Sequence, residues 1–299
     1  SPRILMMFAG TYTALITPFR KGRIDDGAYQ KLVRDQVRGG VNGIVPVGTT
    51  GESPSLRFDE HIRVIELAVQ AAKGRVKILA GTGANSTAEA IHLTRAAEAA
   101  GVDGSLQVAP YYNKPSQEGV FQHFRKIARS TKLPIILYSI PARCNIAIEV
   151  STVQRLVKAC KNIVGIKEAG GDADRVSQLR AALGQGFTIL SGDDALTLPF
   201  MAVGAEGVIS VASNIIPRQV AKMVNEFAAG NSAAALKLHQ KYYPMFKGLF
   251  IETNPVPTKA ALAMLGKCTE EYRLPLCKMS AGNRAQLAKT LKACGVLKK

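Results

Sequence analysis

Ile135-Ile136-Leu137-Tyr138 and Val164-Gly165-Ile166-Lys167 are two short apolar runs on either side of an amphipathic stretch over residues 151–159. Each run is too short for a stable helix and carries no regular polar face, as expected of a parallel strand covered on both sides. The same unit recurs along the chain. Candidate strands fall at 10–16, 43–47, 76–80, 104–108, 135–138, 164–167, 188–190 and 207–210, with helical patterns over 59–72, 87–99, 117–130, 151–159, 173–183 and 217–229 between them. Ser86 is placed to cap the 87–99 helix, and Gly101, Gly165 and Gly204 stand where helices would turn into strands. The spacing, about 20–33 residues, is that of a β-loop-α-loop unit.

Two architectures suit such a pattern. A doubly wound sheet usually has fewer strands and a glycine-rich dinucleotide turn, but Gly81-Thr82-Gly83 has Ser86 where the third glycine should be. An eightfold closed barrel needs about 200–250 residues, and here the eighth unit ends near Ala229. The sequence therefore predicts an α/β protein with a (β/α)8 TIM barrel over 1–230. Residues 231–299 form a helical appendage with segments at 232–243, 259–265 and 284–293, broken by Pro244, Pro255, Pro257 and Pro275.

Composition agrees with a well-packed enzyme: 47% of the 299 residues are hydrophobic and 20% charged, enough for a large core and against disorder. The net charge of +17 is spread along the chain without a basic block. That favours a surface excess able to attract small anions over a nucleic-acid groove. The five cysteines are odd in number, widely spaced and without a Cys-x-x-Cys pair, which argues against a disulfide framework or zinc site and predicts a cytoplasmic protein. The run over 4–19 is interrupted by Gly10 and Pro18 and reads as a first buried strand rather than a secretion signal. Residues 195–205 are too few to span a bilayer, so no membrane role is expected. Residues 1–5 read as a remnant ahead of Met6 or Met7.

In a barrel of this kind chemistry sits where the strands end. After the second strand, Gly48-Thr49-Thr50-Gly51-Glu52-Ser53 offers backbone N–H groups and two hydroxyls to a small carboxylate, although an ordinary glycine turn would read the same. After the fourth, Pro110-Tyr111-Tyr112-Asn113 presents paired tyrosines, one suited to interface packing and the other to offering a hydroxyl. The fifth ends in Tyr138, with Arg143 following as a candidate bidentate carboxylate ligand. The sixth ends in Lys167. A lysine closing an apolar strand is costly to bury unless it is used. Desolvation leaves part of it as a neutral amine near pH 7, able to attack a ketone. The alternative is an ion pair with Glu168, although adjacent strand residues face opposite ways. After the seventh, Asp193 or Asp194 suits a helix cap, and the eighth, with Ile209, can line a pocket for a small keto acid. The four histidines fall on predicted helices away from strand ends, so neither a metal nor metal-dependent aldol chemistry is expected.

These motifs, in this order, resemble the dihydrodipicolinate synthase family of the N-acetylneuraminate lyase superfamily. The likeness runs from Thr13-Ala14-Leu15-Ile16-Thr17-Pro18-Phe19 to Asn254-Pro255-Val256-Pro257-Thr258-Lys259-Ala260. It implies a lyase that condenses pyruvate with L-aspartate 4-semialdehyde on the route to diaminopimelate and lysine, with no cofactor beyond the imine on Lys167. It also implies that Thr50 and the adjacent backbone hold the pyruvate carboxylate, in a pocket to which Gly192 and Ile209 contribute. Tyr138, Thr49 and Tyr112 would relay protons, Tyr112 reaching a neighbouring subunit, and Arg143 would bind the semialdehyde carboxylate. A homotetramer built as a dimer of dimers is implied as well. Where the family usually has Thr-Gly after that arginine, this chain has Cys144-Asn145, and Asn tolerates the left-handed turn best after glycine. A feedback site for L-lysine would involve Ser53, Pro54, Phe58, His61, Asn85, Glu89 and Tyr111. Phe58 replaces the histidine of enterobacterial-type members and Pro54 replaces alanine. The rival reading, a lysine-dependent aldolase for a sugar acid or another keto acid, is disfavoured by Arg143 and the Gly-Thr-Thr-Gly-Glu loop.

Overall fold

The structure, a computed structural model, describes residues 7–298. Residues 1–5 of the expected remnant lie outside that range. Eight parallel strands close into a barrel: β1 (Gly10–Ala14), β2 (Gly43–Val45), β3 (Lys77–Gly81), β4 (Gly104–Val108), β5 (Ile135–Ser139), β6 (Ile163–Glu168), β7 (Thr188–Ser191) and β8 (Gly207–Ser210). Neighbours in sequence are neighbours in space, and β8 returns to pair with β1. Around them lie α1 (Asp26–Gly39), α2 (Phe58–Ala72), α3 (Thr87–Ala99), α4 (Gln117–Ala128), α5 (Val150–Ala159), α6 (Ala173–Leu183), α7 (Thr197–Ala202) and α8 (Pro217–Ala228). Three further helices, α9 (Ser232–Gly248), α10 (Val256–Met264) and α11 (Ala281–Ala293), follow the barrel.

Alternation along the strands sorts the side chains into two layers. Tyr12, Val45, Leu79, Leu106, Ile136, Leu190 and Ile209 fill the barrel interior as one cluster. Ile44, Ile78, Leu137, Ile166 and Ile189 face outward into the helices. Two glycines permit the closure. A Cβ on Gly207 would lie 1.9 Å from the Gly10 carbonyl oxygen, and one on Gly165 would lie 2.7 Å from that of Thr188.

Several expected details change. Gly165 does not terminate a helix. It lies within β6 and serves the close approach of strands, whereas Gly101 and Gly204 do occupy positive-φ turns. Helix α1 and the one-and-a-half-turn α7 were not singled out from sequence. The α1 stripe Tyr29, Leu32, Val33 and Gln36 has the buried face of a helix. Pro244 does not break α9, which runs through it to Gly248. Buried Tyr242, Met245 and Phe246 lie on both sides of the proline, and their packing outweighs its cost of about 3 kcal/mol. Pro257 starts α10 rather than interrupting it, standing in the first turn where a missing N–H costs nothing. Ser86 caps α3 as expected, its oxygen accepting from the Glu89 N–H.

Candidate active site

A cavity of about 250 Å3 opens at the carboxyl ends of the strands. Lys167, the next-to-last residue of β6, has its side chain in this cavity and is only 7% exposed. In register with it stands Tyr138, next to last in β5, and Lys167 Nζ sits 3.9 Å from the centroid of the Tyr138 ring. Burial pushes the lysine down to about 7, helped by the Arg143 guanidinium and opposed by Asp194. Glu168 is not its counter-ion: it faces outward, fully buried, and accepts from Arg175 Nε at 2.7 Å. Among the described residues no carboxylate forms an ion pair with Lys167. The Gly192 backbone lies against the lysine stem, and a Cβ there would come within 3.1 Å of Lys167 Cε.

The 48–53 loop forms one wall. Thr49 hydrogen-bonds the Tyr138 phenol, whose pKa is raised by burial. Thr50 Oγ1 accepts from Asn254 Nδ2 at 2.9 Å. Neither the Thr49 nor the Thr50 N–H donates to another group among the described residues, so both are available to an anion. The loop is held in an unusual shape: Val47 and Glu52 have φ values of 52° and 56°, a region that is uncommon for non-glycine residues and found at ligand clamps. Thr17 Oγ1 donates to the Gly51 carbonyl at 2.7 Å. Lys259, reaching from α10, forms a fully buried ion pair with Glu52.

Arg143 lies in the single helical turn Pro141–Cys144, which ends in Asn145 at φ 59°. Asparagine thus does hold the left-handed position in this turn. The guanidinium lines the cavity mouth and donates to the Asn254 carbonyl at 3.2 Å. Asp193 caps the turn that follows β7, accepting from the Ala195 N–H. Asp194 instead is buried under the eighth strand end, accepting from the Val211 and Ala212 N–H groups at 3.0 and 2.9 Å.

The structure thus gathers Lys167, Tyr138, Thr49, Thr50, Arg143 and Gly192 around one cavity. Ile209 packs in the interior cluster and is not one of the lining residues. Tyr112 does not enter this chain's cavity: it is 91% exposed at φ 72°. Of the residues considered for lysine binding, Ser53, Pro54 and Tyr111 line the cavity rim. Asn85 donates to the Tyr111 carbonyl at 3.2 Å, and Glu89 lies near enough to raise the Tyr111 pKa, behind burial as the larger cause. His61 is buried against the Gly81 carbonyl, and Phe58 stacks on His92 with ring centroids 4.1 Å apart.

Sequence reasoning assigned no role to Phe250 or Asn254, which the C-terminal region contributes to the cavity, nor to Lys259. Lys259 carried a readable signal, a lysine inside the apolar run of α10.

A buried lysine with a lowered pKa, beside a buried phenol and under a loop with two backbone N–H groups turned to no other group among the described residues, is the arrangement of a barrel enzyme with its site at the strand ends. The chain belongs to the Dihydrodipicolinate synthetase family, whose profile matches residues 7–294. It is 52% identical over 292 residues to the 4-hydroxy-tetrahydrodipicolinate synthase of Endomicrobium trichonymphae, covering 98% of this chain and all of that one. The structure of the corresponding synthase from Methylacidiphilum fumariolicum SolV superposes with a TM-score of 0.95 at 57% identity, covering 96% of each chain. A dihydrodipicolinate synthase from Cyanidioschyzon merolae, solved with lysine bound, matches with a TM-score of 0.95 at 40% identity, covering 98% of this chain and all of that one.

Proposed function

We propose that this enzyme catalyses the 4-hydroxy-tetrahydrodipicolinate synthase reaction, condensing pyruvate with L-aspartate 4-semialdehyde through an imine on Lys167. The observation that carries this reading is the buried Lys167 amine, pushed down to about 7 and in no ion pair with a carboxylate among the described residues. The neutral amine adds to the pyruvate ketone and water leaves, forming the imine. That imine draws electrons from the methyl carbon, which loses a proton to give an enamine. The enamine carbon then attacks the aldehyde of the second substrate, and the new alkoxide is protonated. Finally the amine of that substrate closes the ring on the imine carbon and releases Lys167. Pyruvate and semialdehyde together thus yield the cyclic product and one water, and the amine is regenerated without a cofactor.

Thr50 and the backbone N–H groups of Thr49 and Thr50 bind the pyruvate carboxylate, with Gly192 leaving room for the lysine and Ile209 packing below. Tyr138, hydrogen-bonded to Thr49, moves protons at the reacting carbons, a contribution of about 10²–10⁴ in rate. Arg143 at the mouth receives the semialdehyde carboxylate, which distinguishes this reaction from that of a sugar-acid aldolase. Tyr112 completes the relay in a neighbouring subunit of a homotetramer, a dimer of dimers. Its 91% exposure at a positive φ supports that role. No helix among the described residues is long and apolar enough to cross a membrane, and the five cysteines are free, in keeping with a cytoplasmic enzyme.

The deciding test pairs two assays. Borohydride in the presence of pyruvate is expected to add a three-carbon mass at Lys167. Turnover is expected with L-aspartate 4-semialdehyde and not with N-acetylmannosamine. The reverse preference would replace this reading with the sugar-acid one.

L-lysine is proposed as a feedback inhibitor at Ser53, Pro54, Phe58, His61, Asn85, Glu89 and Tyr111. The lysine-bound Cyanidioschyzon merolae relative supports this, as does the joined Asn85–Tyr111–Glu89 cluster. Phe58, committed to His92, offers no polar atom to the ligand, so inhibition is expected to be weak to moderate. An initial rate unchanged at millimolar lysine would remove the proposal.

A further inference from the structure

We propose that Asn254 is a positioning residue for the keto acid, aiming the Thr50 hydroxyl proton into the cavity and holding Arg143 at its mouth. The inference rests on the imine reading above and deepens its account of carboxylate binding.

Asn254 is 6% exposed and immediately precedes the α10 region. Its side chain is held between two hydroxyls. Thr258, itself fully buried, donates to Oδ1 at 3.4 Å, which leaves Nδ2 facing Thr50 Oγ1 at 2.9 Å. A hydroxyl has one proton and two acceptor lone pairs. Because the amide donates to Thr50, that oxygen acts as acceptor on its buried side. Its proton is left for another acceptor, and the open side of Thr50 is the cavity wall. A carboxylate there gains a charge-assisted hydrogen bond, stronger than a neutral one.

The Asn254 backbone carbonyl accepts from Arg143 Nη2 at 3.2 Å. One residue from the C-terminal region therefore orients both groups assigned to carboxylates, Thr50 inside and Arg143 at the entrance. It does so without adding negative charge to a cavity that has to admit anions.

Asn254→Asp keeps the shape and reverses the polarity, because a carboxylate accepts the Thr50 proton and turns it from the cavity. The measurement is the pyruvate concentration that half-saturates borohydride trapping at Lys167, in a cycle with Thr50→Val. Asn254→Asp is expected to raise that concentration on the order of 10-fold in the native background. In the Thr50→Val background, where no proton remains to be aimed, the rise should be threefold or less. Equal effects in both backgrounds, or none in the native one, would overturn the proposal. Asn254→Ala runs in the same cycle and carries the test if the aspartate variant does not fold. Loss of the fold in both would assign Asn254 to stability alone and reject the positioning role. A native enzyme that pyruvate and borohydride fail to label would reject the imine reading itself, before any variant is compared.

Discussion

Lys167→Met is expected to abolish pyruvate trapping and turnover while making the protein harder to unfold below pH 7. The loss follows from removing the nucleophile and should reach at least about 10⁴-fold in kcat/KM, the scale seen when such a group is deleted. The gain follows from burial. Lys167 titrates near 7 in the folded chain against an ordinary 10.5. Between those values the unfolded chain binds more protons, so native stability rises with pH across that window. Below pH 7 both states are protonated and the whole penalty is present. At about 1.4 kcal/mol per pH unit, a shift of this size amounts to a few kcal/mol. Methionine has similar bulk and no proton to lose. The variant should therefore melt higher than the native enzyme at pH 6, with the gap closing towards pH 10. Paired melts at the two pH values measure it. A gap of the same size at both would show that the lysine amine is not the source of the strain. The same titration predicts that trapping by the native enzyme climbs with pH up to about 7 and then levels.

The barrel was legible because each β-loop-α unit carries its own pattern, and eight in a row leave few topologies open. Strand ends identified Lys167, Tyr138 and Arg143 because the barrel directs its strand ends to one mouth. Helix ends inside the C-terminal region were less legible, because local propensity competes there with packing. Pro244 reads as a break, yet Tyr242, Met245 and Phe246 are buried on either side of it and the helix continues. Asn254 was hidden for a different reason. Its partners Thr50 and Arg143 lie 204 and 111 residues away in sequence, and no local spacing reports such a contact. Tyr112 is the converse case: the motif that contains it was plain, but its side chain is exposed and does not line this chain's cavity.

The two buried lysines make the limit of sequence reading concrete. Lys167 and Lys259 both interrupt apolar runs, and both are costly to desolvate, but their surroundings divide their fates. Lys167 has the face of Tyr138 and an open cavity. Lys259 is fully buried, with Glu52, the Glu271 carbonyl at 3.0 Å and the ring of Phe19 at 4.3 Å around its ammonium. Removing it should therefore act opposite to removing Lys167. Lys259→Met leaves the Glu52 carboxylate buried without its partner, a loss of about 3–5 kcal/mol that should lower the melting temperature on the order of 10 °C. Adding Glu52→Gln to the same variant removes the stranded charge and should recover most of that stability. A cost below about 1 kcal/mol for Lys259→Met alone would mean that the pair is not ionised when folded. The 48–53 loop provides a second readout. Glu52 holds its φ of 56° two residues after Thr50, and Lys259 fixes its side chain from outside the barrel. The single variant should therefore also weaken pyruvate trapping at temperatures well below its melt. The double variant, with stability restored and the ionic tether still absent, should keep that defect. Recovery of stability without recovery of pyruvate affinity would separate the two tasks of the ion pair, holding the C-terminal helices to the barrel and holding the carboxylate loop in shape.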